Sequence, residues 1–220
     1  MIERPSPNHN ARPPGTLIDI LLLHYTGMET AEAALARLCD PAAKVSAHYT
    51  IDEDGDVYRH VPEDRRAWHA GKSCWAGETD VNGRSIGIEL VNPGHEFGYR
   101  AFPEAQMAAL IPLAQDIIAR HAIPAAQVLA HSDVAPDRRQ DPGELFDWAR
   151  LAEAGIGLWP GATAERSKSD ARSMLERFGY NVTVGGVIAA FQRHFRPTKV
   201  DGVVDVETHA SLDALMAALD

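Results

Sequence analysis

Two histidines, His24 and His131, each close a run of apolar residues, LIDILLLHYT and QVLAHSD. Such runs, bounded by turn formers, read as buried strands, and ligand sites in α/β sheets gather at the carboxyl ends of strands. Ten residues beyond His131 stands Asp141, in the stretch HSDVAPDRRQDPG. Pro136 and Pro142 would stiffen a loop that turns back on itself there. Two imidazoles and a carboxylate can hold a zinc ion and leave a fourth position open for water. Spacing alone leaves a plain surface loop, rich in turn formers, as the other reading.

Glu89 sits in a second apolar run, GIELVN. A carboxylate there is either turned to solvent or buried for a purpose such as general-base catalysis. AWHAG, with Trp68 and His69, reads as a packed loop or as a groove wall with His69 free to donate a hydrogen bond. His9, His60, His95, His121, His194 and His209 have no such neighbours and read as ordinary surface or core residues. DEDGD lacks the glycine and glutamate positions of a calcium-binding EF-hand and reads as a hairpin turn, and no HExxH metalloprotease motif occurs.

The elements that must position these residues follow from periodicity. LIDILLLHYT and RSIGIELVN suit central strands, SAHYTID and DVYRHVP a hairpin. TAEAALARLC suits a helix, and PEAQMAALIPLAQDIIARH a longer one, disturbed at Pro112. Strands alternating with helices predict an α/β domain with a mixed central β-sheet flanked by helices, over residues 1–160. Beyond WPGA the texture changes to three short amphipathic helical patterns, a small three-helix C-terminal domain over 161–220 with its boundary near Gly161.

Apolar residues make up 45% of the 220-residue chain, enough for a real core, and the formal net charge of −10 repels phosphate backbones and argues against nucleic acid as a partner. Cys39 and Cys74 read as free thiols. The N-terminal MIERPSPNHNARPPG has no apolar segment of the export type, and no stretch is long enough for a membrane span.

Five motifs in one order over residues 17–148, LLLHYT, SAHYTID.DGDVYRHVPE, AWHAG, N..SIGIELVN and AHSDVAP...DPG, resemble the zinc-dependent N-acetylmuramoyl-L-alanine amidases of the AmpD/AmiD type, the amidase-2 family, whose fold is shared by peptidoglycan recognition proteins. The resemblance implies a Zn2+ cofactor on His24, His131 and Asp141, and a catalytic role for Glu89. The family commonly has lysine where this chain has Arg139; arginine keeps the charge but is planar and never deprotonated. Arg139 or His69 would then help to hold an oxyanion. Tyr49, Trp68 and His69 are expected to line the substrate groove, and Arg84 or Arg100 to meet carboxylates of a stem peptide.

The C-terminal segment, with VIAAFQRHF and DGVVDVET, resembles the three-helix peptidoglycan-binding domain, except that Asp205 stands where that pattern usually has glycine. Taken together, the resemblances imply hydrolysis of the amide between N-acetylmuramic acid, or its anhydro form, and L-alanine. The partners would be muropeptides or the murein sacculus. A non-catalytic peptidoglycan-recognition protein of the same fold is the rival reading, and the filled ligand and glutamate positions argue against it. Absence of an export segment points to the cytoplasm; the wall-binding resemblance points to the periplasm.

Overall fold

The computed structural model describes residues 1–161 and 169–219. In chain order the strands are β1 (Ile2–Glu3), β2 (His9–Ala11), β3 (Ile20–Tyr25), β4 (Tyr49–Ile51), β5 (Val57–Arg59), β6 (Arg65–Ala67), β7 (Ser85–Leu90) and β8 (Val128–Ala130). The helices are α1 (Ala31–Cys39), α2 (Val81–Arg84), α3 (Gly94–Phe97), α4 (Glu104–His121), α5 (His131–Val134), α6 (Trp148–Glu153), α7 (Ala171–Phe178), α8 (Val187–Phe195) and α9 (Val206–Leu219).

Six strands form the main sheet in the order β1-β5-β4-β7-β3-β8, and β2 pairs with β6 in a separate ribbon. Within the main sheet only the expected hairpin, β4 with β5, is antiparallel. The parallel core β7-β3-β8 explains the apolar runs, because strands covered on both faces need apolar side chains on both. Leu21 and Leu23 of β3 join Ile86, Ile88 and Leu90 of β7 under Leu110, Ala114 and Ile117 of α4. Ile20 and Leu22 point the other way, into a second core.

That second core is shared with the C-terminal helices. Trp75, Val81, Leu129 and Val134 pack in one cluster with Met174 and Leu175 of α7, Phe191 of α8 and Leu212 and Leu215 of α9. Each such side chain, once buried, contributes about 1.5–3 kcal/mol relative to exposure. Residues 162–168, just past the expected boundary at Gly161, lie outside the described residues.

Local chemistry sets the helix ends. Thr30 accepts from Ala33 N–H to cap α1, and Asp170 accepts from Ser173 N–H to cap α7. Pro112 lies inside α4 on its exposed side, where the backbone bond it removes faces water, and the helix continues through it. Asp205, at the position of the unusual residue, caps α9 by accepting from Thr208 N–H at 2.9 Å and pairs with Arg196. Buried Gln192 of α8 binds this turn: its Oε1 accepts from Asp201 and Gly202 N–H, and its Nε2 donates to the Val203 carbonyl. The FQ and DG motifs are therefore two halves of one hydrogen-bonded corner. Cys39 and Cys74 are free thiols.

Candidate metal centre

β3 ends by placing His24 on the same face as Ile20 and Leu22. β8 ends at Ala130, and His131 opens the short α5 immediately after it. The loop that follows returns Asp141 to both. Their donor atoms form a tight triangle: His24 Nδ1 to His131 Nδ1 is 2.9 Å, His24 Nδ1 to Asp141 Oδ2 is 3.0 Å, and His131 Nδ1 to Asp141 Oδ2 is 2.9 Å. All three residues are buried, and they are the one group of three or more metal-ligating side chains among the described residues whose atoms converge this way. A tetrahedral zinc at about 2.0–2.1 Å from each would set ligand–ligand edges near 3.3 Å, so the triangle needs to open by only a few tenths of an ångström.

The far side of each imidazole is already tied, as metal-binding histidines require. His24 Nε2 lies 3.0 Å from His69 Nδ1, and His69 Nε2 lies 3.3 Å from Ser85 Oγ, which donates to the Val81 carbonyl. One direction satisfies the whole chain, with each N–H donating onward and leaving His24 Nδ1 unprotonated in the triangle. His131 Nε2 donates to the Ala70 carbonyl at 3.1 Å, which likewise frees its Nδ1. The AWHAG loop thus supports both histidines, and Asn82 Oδ1 fixes it by accepting from the His69 and Ala70 N–H groups. Gly87 in β7 is required by this arrangement, since a Cβ there would meet the His69 ring at 2.5 Å.

Electrostatics agree with a cation site. Burial, and after it His131, pulls the His24 pKa down to about 4, so the imidazole is the neutral donor that a metal needs. Burial alone would raise Asp141, but His131 and His24 hold it well below the usual carboxylate range, as an anion. Glu89 is paired across the sheet with His24 in the β3–β7 register. It is buried, and its Oε2 has no hydrogen-bond partner. Burial and then the Asp141 charge push its pKa well above the ordinary value, opposed by Arg139.

A cleft of about 580 Å³ opens on this centre, lined by His69, Glu89, His131, Arg139 and Asp141. His69 is on the wall as expected, but both ring nitrogens are engaged, so it supports His24 rather than donating to a ligand. Tyr49 does not line the cleft: it is a core residue whose hydroxyl donates to Glu63 Oε1 at 2.7 Å. Trp68 does not line it either; its Nε1 donates to Asn10 Oδ1 at 2.8 Å. Arg84 is paired with Asp19 and Arg100 with Glu53, and neither reaches the cleft wall. The wall residues that sequence reading passed over include Tyr25, Arg37 and His95. His95 carried a usable signal, because NPGHEF follows the carboxyl end of β7 just as Tyr25 ends β3. It meets the Tyr25 hydroxyl at 2.9 Å through Nδ1, and stacks on Tyr99.

A parallel-cored α/β sheet with a His–His–Asp triangle that could hold a metal ion, and an unpartnered glutamate beside it at the carboxyl edge, has the make-up of a hydrolase site. The chain belongs to the N-acetylmuramoyl-L-alanine amidase family, whose model matches residues 13–144. It is 42% identical to the N-acetylmuramoyl-L-alanine amidase AmiD of Escherichia coli, over 90% of this chain and 82% of that protein. It is 35% identical to the 1,6-anhydro-N-acetylmuramyl-L-alanine amidase AmpD of Enterobacter cloacae, over 67% of this chain and 86% of that one. Among solved structures, E. coli AmiD in complex with anhydro-N-acetylmuramic acid-L-Ala-D-γ-Glu-L-Lys superposes with a TM-score of 0.81 at 39% identity, covering 94% of this chain and 92% of that one. AmpDh3 of Pseudomonas aeruginosa in complex with anhydromuramic pentapeptide gives 0.83 at 32% identity, covering 94% of each chain.

Proposed function

We propose that this chain is a zinc-dependent N-acetylmuramoyl-L-alanine amidase that hydrolyses the amide between N-acetylmuramic acid, or its anhydro form, and L-alanine of the peptidoglycan stem peptide. The observation that carries the reading is the unpartnered, buried Glu89 carboxylate on the strand beside His24, facing the same cleft as the ligand triangle. His24, His131 and Asp141 would hold the zinc, which when bound supplies Lewis acidity and lowers the pKa of water to about 7.

The chain's own residues do the rest. Glu89, ionised, takes the proton of the attacking water as its oxygen bonds to the acyl carbon. Its raised proton affinity makes it a stronger acceptor for that proton than an exposed carboxylate. The same proton then passes to the departing L-alanine nitrogen as the C–N bond breaks, so water is divided between the two products. Arg139, on the cleft wall, would donate to the oxyanion. Burial of the ligands and of Glu89 keeps bulk water from screening these charges.

The test is direct. Zinc-loaded protein incubated with an anhydro-muramyl tripeptide should release free tripeptide, detected by mass spectrometry, and His131→Ala should lose both stoichiometric zinc and activity. Intact substrate after prolonged incubation with fully zinc-loaded protein would refute the reading.

A further inference from the structure

Asp133 is a fully buried carboxylate that accepts three hydrogen bonds. Ala130 N–H donates at 2.8 Å, the Tyr180 hydroxyl at 2.6 Å and His194 Nδ1–H at 2.7 Å. The first donor is the residue that precedes His131. The other two come from the C-terminal segment: Tyr180 follows α7, and His194 lies in α8. Ser132, between His131 and Asp133, donates its N–H to the Asp141 carbonyl at 3.0 Å. One turn, residues 130–134, therefore carries His131 and also holds the backbone of Asp141.

His194 is specialised for this contact. Its Nε2 is buried without a partner, so Asp133 receives the ring's hydrogen bond, while the ring stacks on Trp148 at 3.7 Å and on Phe195 at 3.9 Å. The same segment touches the metal loop twice more. Gly186 lies against the Pro136 carbonyl so closely that a Cβ would collide with it, and Arg193 reaches Gln140 Oε1 at 3.4 Å.

We infer that the C-terminal helices are a working part of the metal centre: Tyr180 and His194 are positioning residues that act through Asp133 on His131 and Asp141. A buried carboxylate deprived of a donor cannot recover it from water, and relaxes by moving its own backbone. Here that backbone is the turn that sets two of three ligands, and metal ligands tolerate displacements of only about 0.2 Å. The segment whose sequence resembles a wall-binding module thus has a task inside the catalytic unit.

The inference rests on His24, His131 and Asp141 being the metal ligands, and the experiment separates the two. Tyr180→Phe and His194→Phe in the full chain keep an aromatic ring and remove one donor each. Zinc affinity is measured by chelator competition, and the cobalt(II)-substituted protein by its visible spectrum. Each variant should weaken zinc by about tenfold, in the range known for supporting residues of metal sites, and shift the cobalt bands. His194→Asn, which keeps an N–H donor near Nδ1, should recover most of the affinity. Met174→Ala removes packing from the same core without removing a hydrogen bond; it should lower Tm and leave zinc affinity unchanged. Unchanged affinity and spectrum in both donor deletions would overturn the inference, as would equal weakening by Met174→Ala. Failure of the wild type to bind zinc would remove the metal reading itself, and the inference with it.

Discussion

His24 of β3 and Glu89 of β7 are direct partners in parallel register, so one strand pairing sets a member of the His–His–Asp triangle and an unpartnered buried carboxylate side by side at the carboxyl edge of the sheet. Neither can drift without slipping the register of the two central strands, which also fixes Leu21, Leu23, Ile86 and Ile88 in the core.

Glu89→Gln keeps the shape of the side chain and removes its ability to take a proton. Zinc content should stay at the wild-type level while kcat falls by about 10²- to 10⁴-fold. Metal analysis beside a steady-state assay decides it; a drop of less than fivefold would assign the base elsewhere.

Arg139→Ala should lower kcat by about 10²-fold, the usual loss on removing one oxyanion donor. Arg139→Lys should retain most of the activity, because a positive charge on the cleft wall is preserved. Equal losses in the two variants would mean that the planar guanidinium, not its charge, is what the site uses.

Gly87→Ala should act at a distance. The added methyl displaces the His69 ring and removes the partner of His24 Nε2, lowering zinc affinity by about 10- to 100-fold. In a His69→Ala background the same substitution should add little, because the clash has gone. A double-mutant cycle with additive effects would count against this route.

Glu63 should contribute to acid stability. Burial would raise its pKa, but hydrogen bonds from Arg120, Tyr49 and His121 prevail and hold it at about 2. A carboxyl whose folded pKa is depressed stabilises the fold fully above its unfolded value of about 4.5, and that stabilisation fades as pH falls towards 2. Its size is on the order of 2–3 kcal/mol. Denaturant midpoints between pH 5 and 2 should therefore fall less steeply for Glu63→Gln than for the wild type, from a lower starting point; parallel curves would be inconsistent with this role.

The fragment 1–161 should not behave as an independent soluble domain. Without α7–α9 it exposes Trp75, Val81, Leu129 and Val134 as one apolar face. Size-exclusion chromatography and a thermal melt should show aggregation or a much lower Tm. A monodisperse fragment of wild-type stability would mean that the C-terminal helices are an attachment.

The central strands β3, β7 and β8, the β4–β5 hairpin and the three C-terminal helices were legible in the sequence, because apolar periodicity is a local consequence of which faces are buried. So were His24, next to the end of β3, and His131, immediately after β8, since strand ends are marked by the loss of apolar run. The short β1 and the β2–β6 ribbon, mostly exposed, carry no such pattern and were not. Groove lining was not legible. Tyr49 and Trp68 are aromatic residues near the motifs, but whether such a side chain faces a cleft or a neighbour depends on what packs against it, here Glu63 and Asn10. The position of His194 was equally hidden, because its partner Asp133 lies 61 residues away on another element. Sequence by itself determined the donor types and the strands that carry them. Only the tertiary structure decided that AWHAG supports both imidazoles, that Glu89 is left without a partner, and that the C-terminal helices contact the loop between His131 and Asp141, because hydrogen bonding and burial between distant segments exist only once the chain has closed on itself.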